Sequence, residues 1–229
     1  MLIGDWMSKK AIVAEMGTPI MTASHIMKSA GIRYLPVVDN DGRLAGVVTD
    51  RDLKAAAPSK ATSLDVFELN YLLANVKLCE IMTRNVVTVK AGETVELAAV
   101  LMLDNKISGL PVVDDDSRVT GVITQTDIFR ALVSITGANH DGVQFAFSLE
   151  DRPGSLKEVA DDLRAMGARI ISVLTHYPSE GEKNREVYFR IRRVDKDEVE
   201  KMRRALGSKF TLISVAEDFT GEVRRRKKR

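Results

Sequence analysis

The chain has 229 residues, 45% hydrophobic and 29% charged, proportions of a globular protein and not of a disordered or collagen-like one. The formal net charge is +2, yet Arg224 to Arg229 are all basic, so the remainder is mildly acidic and a broad basic surface for nucleic acid is not expected. One cysteine, Cys79, leaves no internal disulfide and fits a reducing compartment. No run approaches the ~18 consecutive apolar residues of a membrane span. Met1 to Met7 lacks the basic start and long apolar run of a signal peptide. The expectation is a cytoplasmic protein.

In chain order, Ala11 to Ala14 reads as a short apolar strand. Pro19 opens a helix with Ile20, Ala23, Ile26, Met27 and Ala30 on one face, and Gly31 stops it. Tyr34 to Val38 and Gly46 to Thr49 are β-rich runs joined by a polar turn, Asp39 to Gly42. A helix from Asp52 to Ala57 follows until Pro58 ends it. Residues 59–80 read as a helical linker, with Thr62 or Ser63 as cap and Leu64, Phe67, Tyr71, Leu72 and Leu78 at roughly helical spacing. Val86 to Val89, Thr94 to Asn105, Leu110 to Val113 and Val119 to Thr124 then repeat the first set of elements.

That repetition is gapless. Leu35-Pro-Val-Val-Asp39 returns as Leu110-Pro-Val-Val-Asp114, an offset of 75 residues. At the same offset Met7 falls on Met82, Gly17 on Gly92, Ala23 on Ala98, Met27 on Met102 and Ile32 on Ile107. Such a duplication marks two copies of one β-α-β-β-α unit. The expected divisions are 1–58, the linker 59–80, and 81–136.

After Gly137 to Gly142, a candidate hinge, the pattern changes. Val143, Phe145, Phe147 and Leu149 alternate as a half-buried strand, and Asp151 to Gly154 makes a turn. A helix runs through Leu156, Val159, Leu163 and Met166 to Gly167. Strands at Arg169 to Tyr177 and Glu186 to Val194, a helix through Val199, Met202 and Leu206, and a last strand at Phe210 to Val215 complete the order β-α-β-β-α-β, which is ferredoxin-like. The predicted fold class is α+β: two βαββα repeats packed as a pair, then this unit over 142–217, then a basic tail over 218–229.

Thr49-x-x-Asp52 and Thr124-x-x-Asp127 each stand where a strand becomes a helix. Taken alone, each reads as a capping box in which the acid pairs back to the cap. The same geometry also suits a ligand: a threonine hydroxyl can donate to a phosphate oxygen, and a carboxylate can accept from both hydroxyls of a ribose.

The whole repeat, through Gly-h-h-Thr-x-x-Asp, the Leu-Pro-Val-Val-Asp strands and the Asp5-Trp-Met7 and Glu80-Ile-Met82 lead-ins, resembles a tandem pair of cystathionine-β-synthase (CBS) domains. That resemblance implies a disc with two clefts for adenine nucleotides. It implies a first site of Thr49, Asp52, Arg51, Tyr34, Pro36 and Ile12, and a second of Thr124, Asp127, Thr126, Gly109, Pro111 and Val87. Arg51 against Thr126 makes the sites unequal, the first favouring a more phosphorylated ligand. The ligand implied is AMP, ADP or ATP, with S-adenosylmethionine or NADH as further candidates. Asp151-Arg-Pro-Gly-Ser-Leu156 and Gly167 to Ile171 make residues 142–217 similar to an ACT domain, which implies a homodimer and an amino acid held by Asp151, Gly154 and Ser155. The module order resembles that of acetoin-utilisation proteins, implying regulation through an unknown effector protein and no defined reaction. The alternative is a ligand-free scaffold in which both modules serve assembly.

Other chemistry is not expected. His25, His140 and His176 lie in different units with no partner at metal-ligand spacing. Met27, Met82 and Met102 read as core fillers, no nucleophile signature occurs, and the terminal basic run reads as solvated.

Overall fold

The structure is a computed structural model and describes residues 1–56, 75–179, 181 and 183–218. It divides into two compact units, Met1–Phe129 and Arg130–Arg229. The linker helix expected over 59–80 lies largely outside the described residues, as does the basic tail.

The first unit contains α1 (Ile3–Trp6), β1 (Ala14–Glu15), α2 (Ile20–Ala30), β2 (Tyr34–Val38), β3 (Leu44–Thr49), α3 (Asp50–Ala56), α4 (Leu78–Ile81), α5 (Val95–Asp104), β4 (Gly109–Val113), β5 (Val119–Thr124) and the start of α6 (Gln125–Thr136). In the first copy β1 pairs parallel to β2, and β2 antiparallel to β3. In the second, β4 and β5 form the same hairpin, and the partner of β4 shrinks to a single parallel bridge between Val89 and Val112. The strand expected at Ala11 to Ala14 begins only at Ala14. Ile12 and Val13 before it are 41% and 38% exposed, so an apolar run there does not mean a buried strand.

Local chemistry accounts for the repeat. Pro19 stands before α2 with its φ already near the helical value, and Gly31 closes the helix at φ 64°. Asp39 Oδ1 accepts from the N–H groups of Asp41 and Arg43, and Asp114 Oδ1 accepts from those of Asp116 and Arg118, an Asx turn tightening each hairpin. The backbone holds its course where the residue changes. Gly31 and Gly42 take positive φ, and at the same offset Lys106 and Ser117 take φ 54° and 63°.

The lead-in segments cross over. Met1 to Ser8 packs on the second copy: the Ile3 N–H bonds the Glu93 carbonyl, the Val95 N–H bonds that of Met1, and Ser8 bridges to Val122. Residues 76–83 pack on the first. The Ile20 N–H bonds the Val76 carbonyl, the Leu78 N–H that of Thr18, and Val47 bridges to Thr83. Leu78 and Met82 accordingly belong to the first copy's core with Ile20, Ala23, Met27, Leu35, Val37, Val48 and Leu53. The two glycines of Gly-h-h-Thr make room for this. A Cβ on Gly46 would stand 2.7 Å from Met82 Sδ, and one on Gly121 2.6 Å from Met7 Sδ.

The second unit contains the end of α6, then β6 (Gly142–Glu150), α7 (Ser155–Ala165), β7 (Ile170–His176), β8 (Asn184–Arg192), α8 (Lys196–Lys209) and β9 (Thr211–Asp218). The sheet order is β7-β8-β6-β9 with every pair antiparallel, the ferredoxin-like arrangement. Alternate residues of β6 and β8 (Val143, Phe145, Phe147, Leu149, Val187, Phe189, Ile191) enclose a core with Val159 and Leu163 of α7 and Val199, Met202 and Leu206 of α8. Among the described residues no helix is long and apolar enough to cross a membrane.

Candidate functional site

Each repeat ends its last strand in a threonine that is drawn into a knot with the aspartate three residues on. Asp52 Oδ2 accepts from the Thr49 N–H at 2.7 Å and from the Thr49 hydroxyl at 2.7 Å, while the Asp52 N–H reaches Thr49 Oγ1 at 3.3 Å. Asp127 Oδ2 likewise accepts from the Thr124 N–H at 2.9 Å and from its hydroxyl at 2.6 Å. The reciprocal capping box is complete at the first junction, and at the second the acid's half of it is formed. The two carboxylates differ in setting. Asp127 is only 5% exposed and has a further partner, whereas Asp52 is half-buried and every bond that the described residues make to its carboxylate goes to Oδ2.

Arg51 is matched by Thr126 in the second copy, and both are exposed. Lys54 takes Asp50, with Nζ 2.6 Å from Oδ2. Among the described residues no hydrogen bond or ion pair holds the Arg51 guanidinium.

The remaining predicted residues fall into two groups. Tyr34 lies directly across the ladder from Thr49, Gly109 from Thr124, Pro36 from Val47 and Pro111 from Val122, so these flank the knots. Ile12 is exposed and Val87 half-buried, apolar surface on the chain leading into each sheet. Tyr34 and Gly109, assigned by sequence to different sites, are in contact: a Cβ on Gly109 would stand 3.2 Å from Cγ and Cδ2 of the Tyr34 ring. Tyr34 belongs to a buried cluster with Val47 and Val122 that joins the two copies.

Burial pushes the Tyr34 phenol well above the usual tyrosine range. Below the unfolded phenol's pKa of about 10 both states are neutral and nothing is lost; above it the unfolded chain ionises first, and stability falls as pH rises. Tyr34→Phe is expected to lose less stability than the wild type between about pH 10 and 11.5, as read by urea melts. Equal losses would show that the phenol is not shielded.

In the second unit Gly154 takes φ 91° ahead of α7, as the Asp-Arg-Pro-Gly turn requires. Asp151 and Ser155 are brought together by a residue the sequence reading missed. Arg185 on β8 places Nη1 3.1 Å from Asp151 Oδ1 and donates from Nη2 to Ser155 Oγ at 3.0 Å. The signal was present in the alternation: Val187, Phe189 and Ile191 point inward, and two residues earlier that face carries an arginine opposite Leu149. A cleft of about 230 Å³ beside the loop is lined by Arg152, Ser155, Glu158, Lys209 and Phe210 among others. Among the described residues no group of three or more His, Cys, Asp or Glu is placed to hold a metal.

A duplicated sheet-and-helix unit with exchanged lead-ins and a Thr–Asp knot at each junction defines a tandem-repeat module. The family model described as CBS domain matches residues 3–59 and 78–134. A CBS domain-containing protein of Dictyostelium discoideum is 34% identical over 58% of this chain and 92% of its own length. The chain belongs to the CBS domain family. L-aspartate semialdehyde sulfurtransferase of Methanocaldococcus jannaschii is 40% identical over 56% of this chain. The matched stretch spans only 23% of that enzyme, and under half of several other curated relatives. Among solved structures, one from Vibrio cholerae described as an acetoin utilization protein (AcuB) is 27% identical, with a TM-score of 0.50 over 61% of this chain and 95% of its own.

Proposed function

We propose that the chain is a regulatory ligand sensor with no catalysis of its own, acting in the cytoplasm on an effector protein. Its CBS pair takes an adenosine-containing nucleotide, with AMP, ADP and ATP first in the screen and S-adenosylmethionine and NADH after them. The observation that carries this is the duplicated Thr–Asp knot, and above all its first copy. There, Asp52 Oδ1 is open to a ribose, the Thr49 hydroxyl is one rotation from a phosphate, and the Arg51 guanidinium is held by no described residue. Turning the hydroxyl from Asp52 to a phosphate exchanges one hydrogen bond for another, a net cost of order 1 kcal/mol or less. Asp52 keeps the Thr49 N–H meanwhile, so the helix start survives binding.

The clefts are unequal. The first, with Arg51 and an open carboxylate oxygen, prefers ATP over AMP, because a guanidinium engages added phosphate oxygens. The second, with Thr126 and the more buried Asp127, discriminates less. For the C-terminal unit we infer an ACT-type module that dimerises and takes an amino acid against Asp151, Gly154 and Ser155. The incoming ammonium group must share Asp151 with Arg185.

The ligand-free scaffold has a specific observation in its favour, since in both knots the threonine hydroxyl is already bonded to its own aspartate. Calorimetric titration of AMP and ATP into the wild type, Thr49→Ala and Thr124→Ala separates the readings. Each substitution is expected to weaken one site, and unchanged affinity in both sinks the nucleotide assignment. In a melting screen, a ligand at a hundred times its dissociation constant adds about 2.7 kcal/mol of stability. No shift with any nucleotide or amino acid favours the scaffold.

A further inference from the structure

A second cleft in the C-terminal unit has no part in the sites proposed above. It holds about 600 Å³ and is lined by His140, Asp141, Ile170, Ile171, Arg192 and Arg193, a volume within the usual range of small-molecule sites. It lies at the far end of the sheet from the Asp151–Ser155 loop: β6 begins beside it at Gly142, paired with Arg192, and reaches that loop only after Glu150.

Its floor is built by an irregularity. The register of β7 on β8 slips between Ile170 and Ser172, making Ile171 the extra residue of a bulge, a device that re-aims a side chain. The turn after α6 is seated on that bulge. The Ser172 hydroxyl donates to the Thr136 carbonyl at 2.8 Å, and Gly137 approaches so closely that a Cβ there would stand 2.3 Å from Ile171 Cγ2. Gly137 takes φ 68°, so its lack of a side chain is required twice over. From this anchored turn the chain runs on through His140 and Asp141 to form the wall.

The lining combines an apolar floor with cations. Asp141 and Arg193 already have partners. Arg192 and His140 are exposed, and among the described residues neither side chain has a hydrogen bond or ion pair. A guanidinium presents a planar fork matched to carboxylate. The two isoleucines favour an anion that carries a branched carbon body over a bare one.

We propose that this cleft is a binding site for a small aliphatic carboxylate, its oxygens on Arg192 and His140 and its carbon body on Ile170 and Ile171. Calorimetry on the full chain tests this with 3-methylbutanoate, acetate and inorganic phosphate. The expected result is saturable binding of 3-methylbutanoate, with acetate and phosphate weaker by about tenfold or more. Arg192→Gln should weaken it by a similar factor at an unchanged melting temperature, and Lys196→Gln, exposed at the start of α8, should leave it as it was. His140→Gln gives a second reading should Arg192→Gln melt early. Phosphate binding as tightly as 3-methylbutanoate overturns the proposal, as does absence of heat. So does binding that survives Arg192→Gln and is lost in Arg185→Gln, which would put the acid at the Asp151–Ser155 loop.

Discussion

Ile3→Ala is expected to loosen the second repeat, whose strands lie far downstream, and to spare the first. Ile3 is fully buried, and the segment that carries it hydrogen-bonds to Glu93, Ala91 and Val95. Removing three carbons from such a position costs about 2–5 kcal/mol. The place of the loss matters more than its size. Hydrogen exchange should accelerate at the N–H groups of Val95 and Val122, which bond to Met1 and Ser8, ahead of those in β2 and β3. Leu78→Ala, also fully buried, should show the converse, loosening the Ile20 end of α2 and the first copy's core. If each substitution instead opened the repeat it precedes in sequence, the crossover of lead-ins would be wrong.

The second large effect belongs to the C-terminal unit. Phe147 is fully buried, and its ring stands 6.4 Å from Phe145, 6.0 Å from Phe189 and 6.1 Å from Phe210, the last two edge-on. Phe147→Ala removes the hub of that cluster at a cost of about 3–5 kcal/mol. Because the chain has two compact units, calorimetric melting should resolve two transitions, only one of which Phe147→Ala lowers. The other should keep its response to nucleotide. A single transition lowered as a whole would mean that the units unfold together, and the nucleotide response would then have to be assigned by the Thr49 and Thr124 variants alone.

Much of this was legible in the residues, for identifiable reasons. The duplication announces itself because the copies share an offset without a gap, and the alternation of Val143, Phe145, Phe147 and Leu149 fixes which face of β6 is buried. Pro19 and Gly31 mark the ends of α2 because each has a narrow backbone preference. The crossover was not legible. Met7 and Met82 hold equivalent places, and nothing in a repeat pattern says whether an equivalent place packs on its own copy or on the other. Ile12 and Val13 misled for a related reason, since a short apolar run reads as a buried strand whether or not a partner covers it. The knots were legible as residues, while the difference between them was not: Asp127 more buried than Asp52, and Asp50 paired with Lys54, depend on packing that spacing does not encode. Arg185 was missed because its meaning lies across the sheet from the loop it holds.

The exchanged lead-ins also bear on how such a chain could arise. A single repeat of this geometry would have an unfinished core: its lead-in would complete a neighbour's repeat and a neighbour's lead-in would complete its own, as in a segment-swapped homodimer. Carrying both repeats on one chain makes that exchange intramolecular, at an effective concentration set by the connecting stretch and not by expression level. It also releases the halves from identity. Arg51 and Thr126 could then diverge, which two copies encoded by one gene could never do.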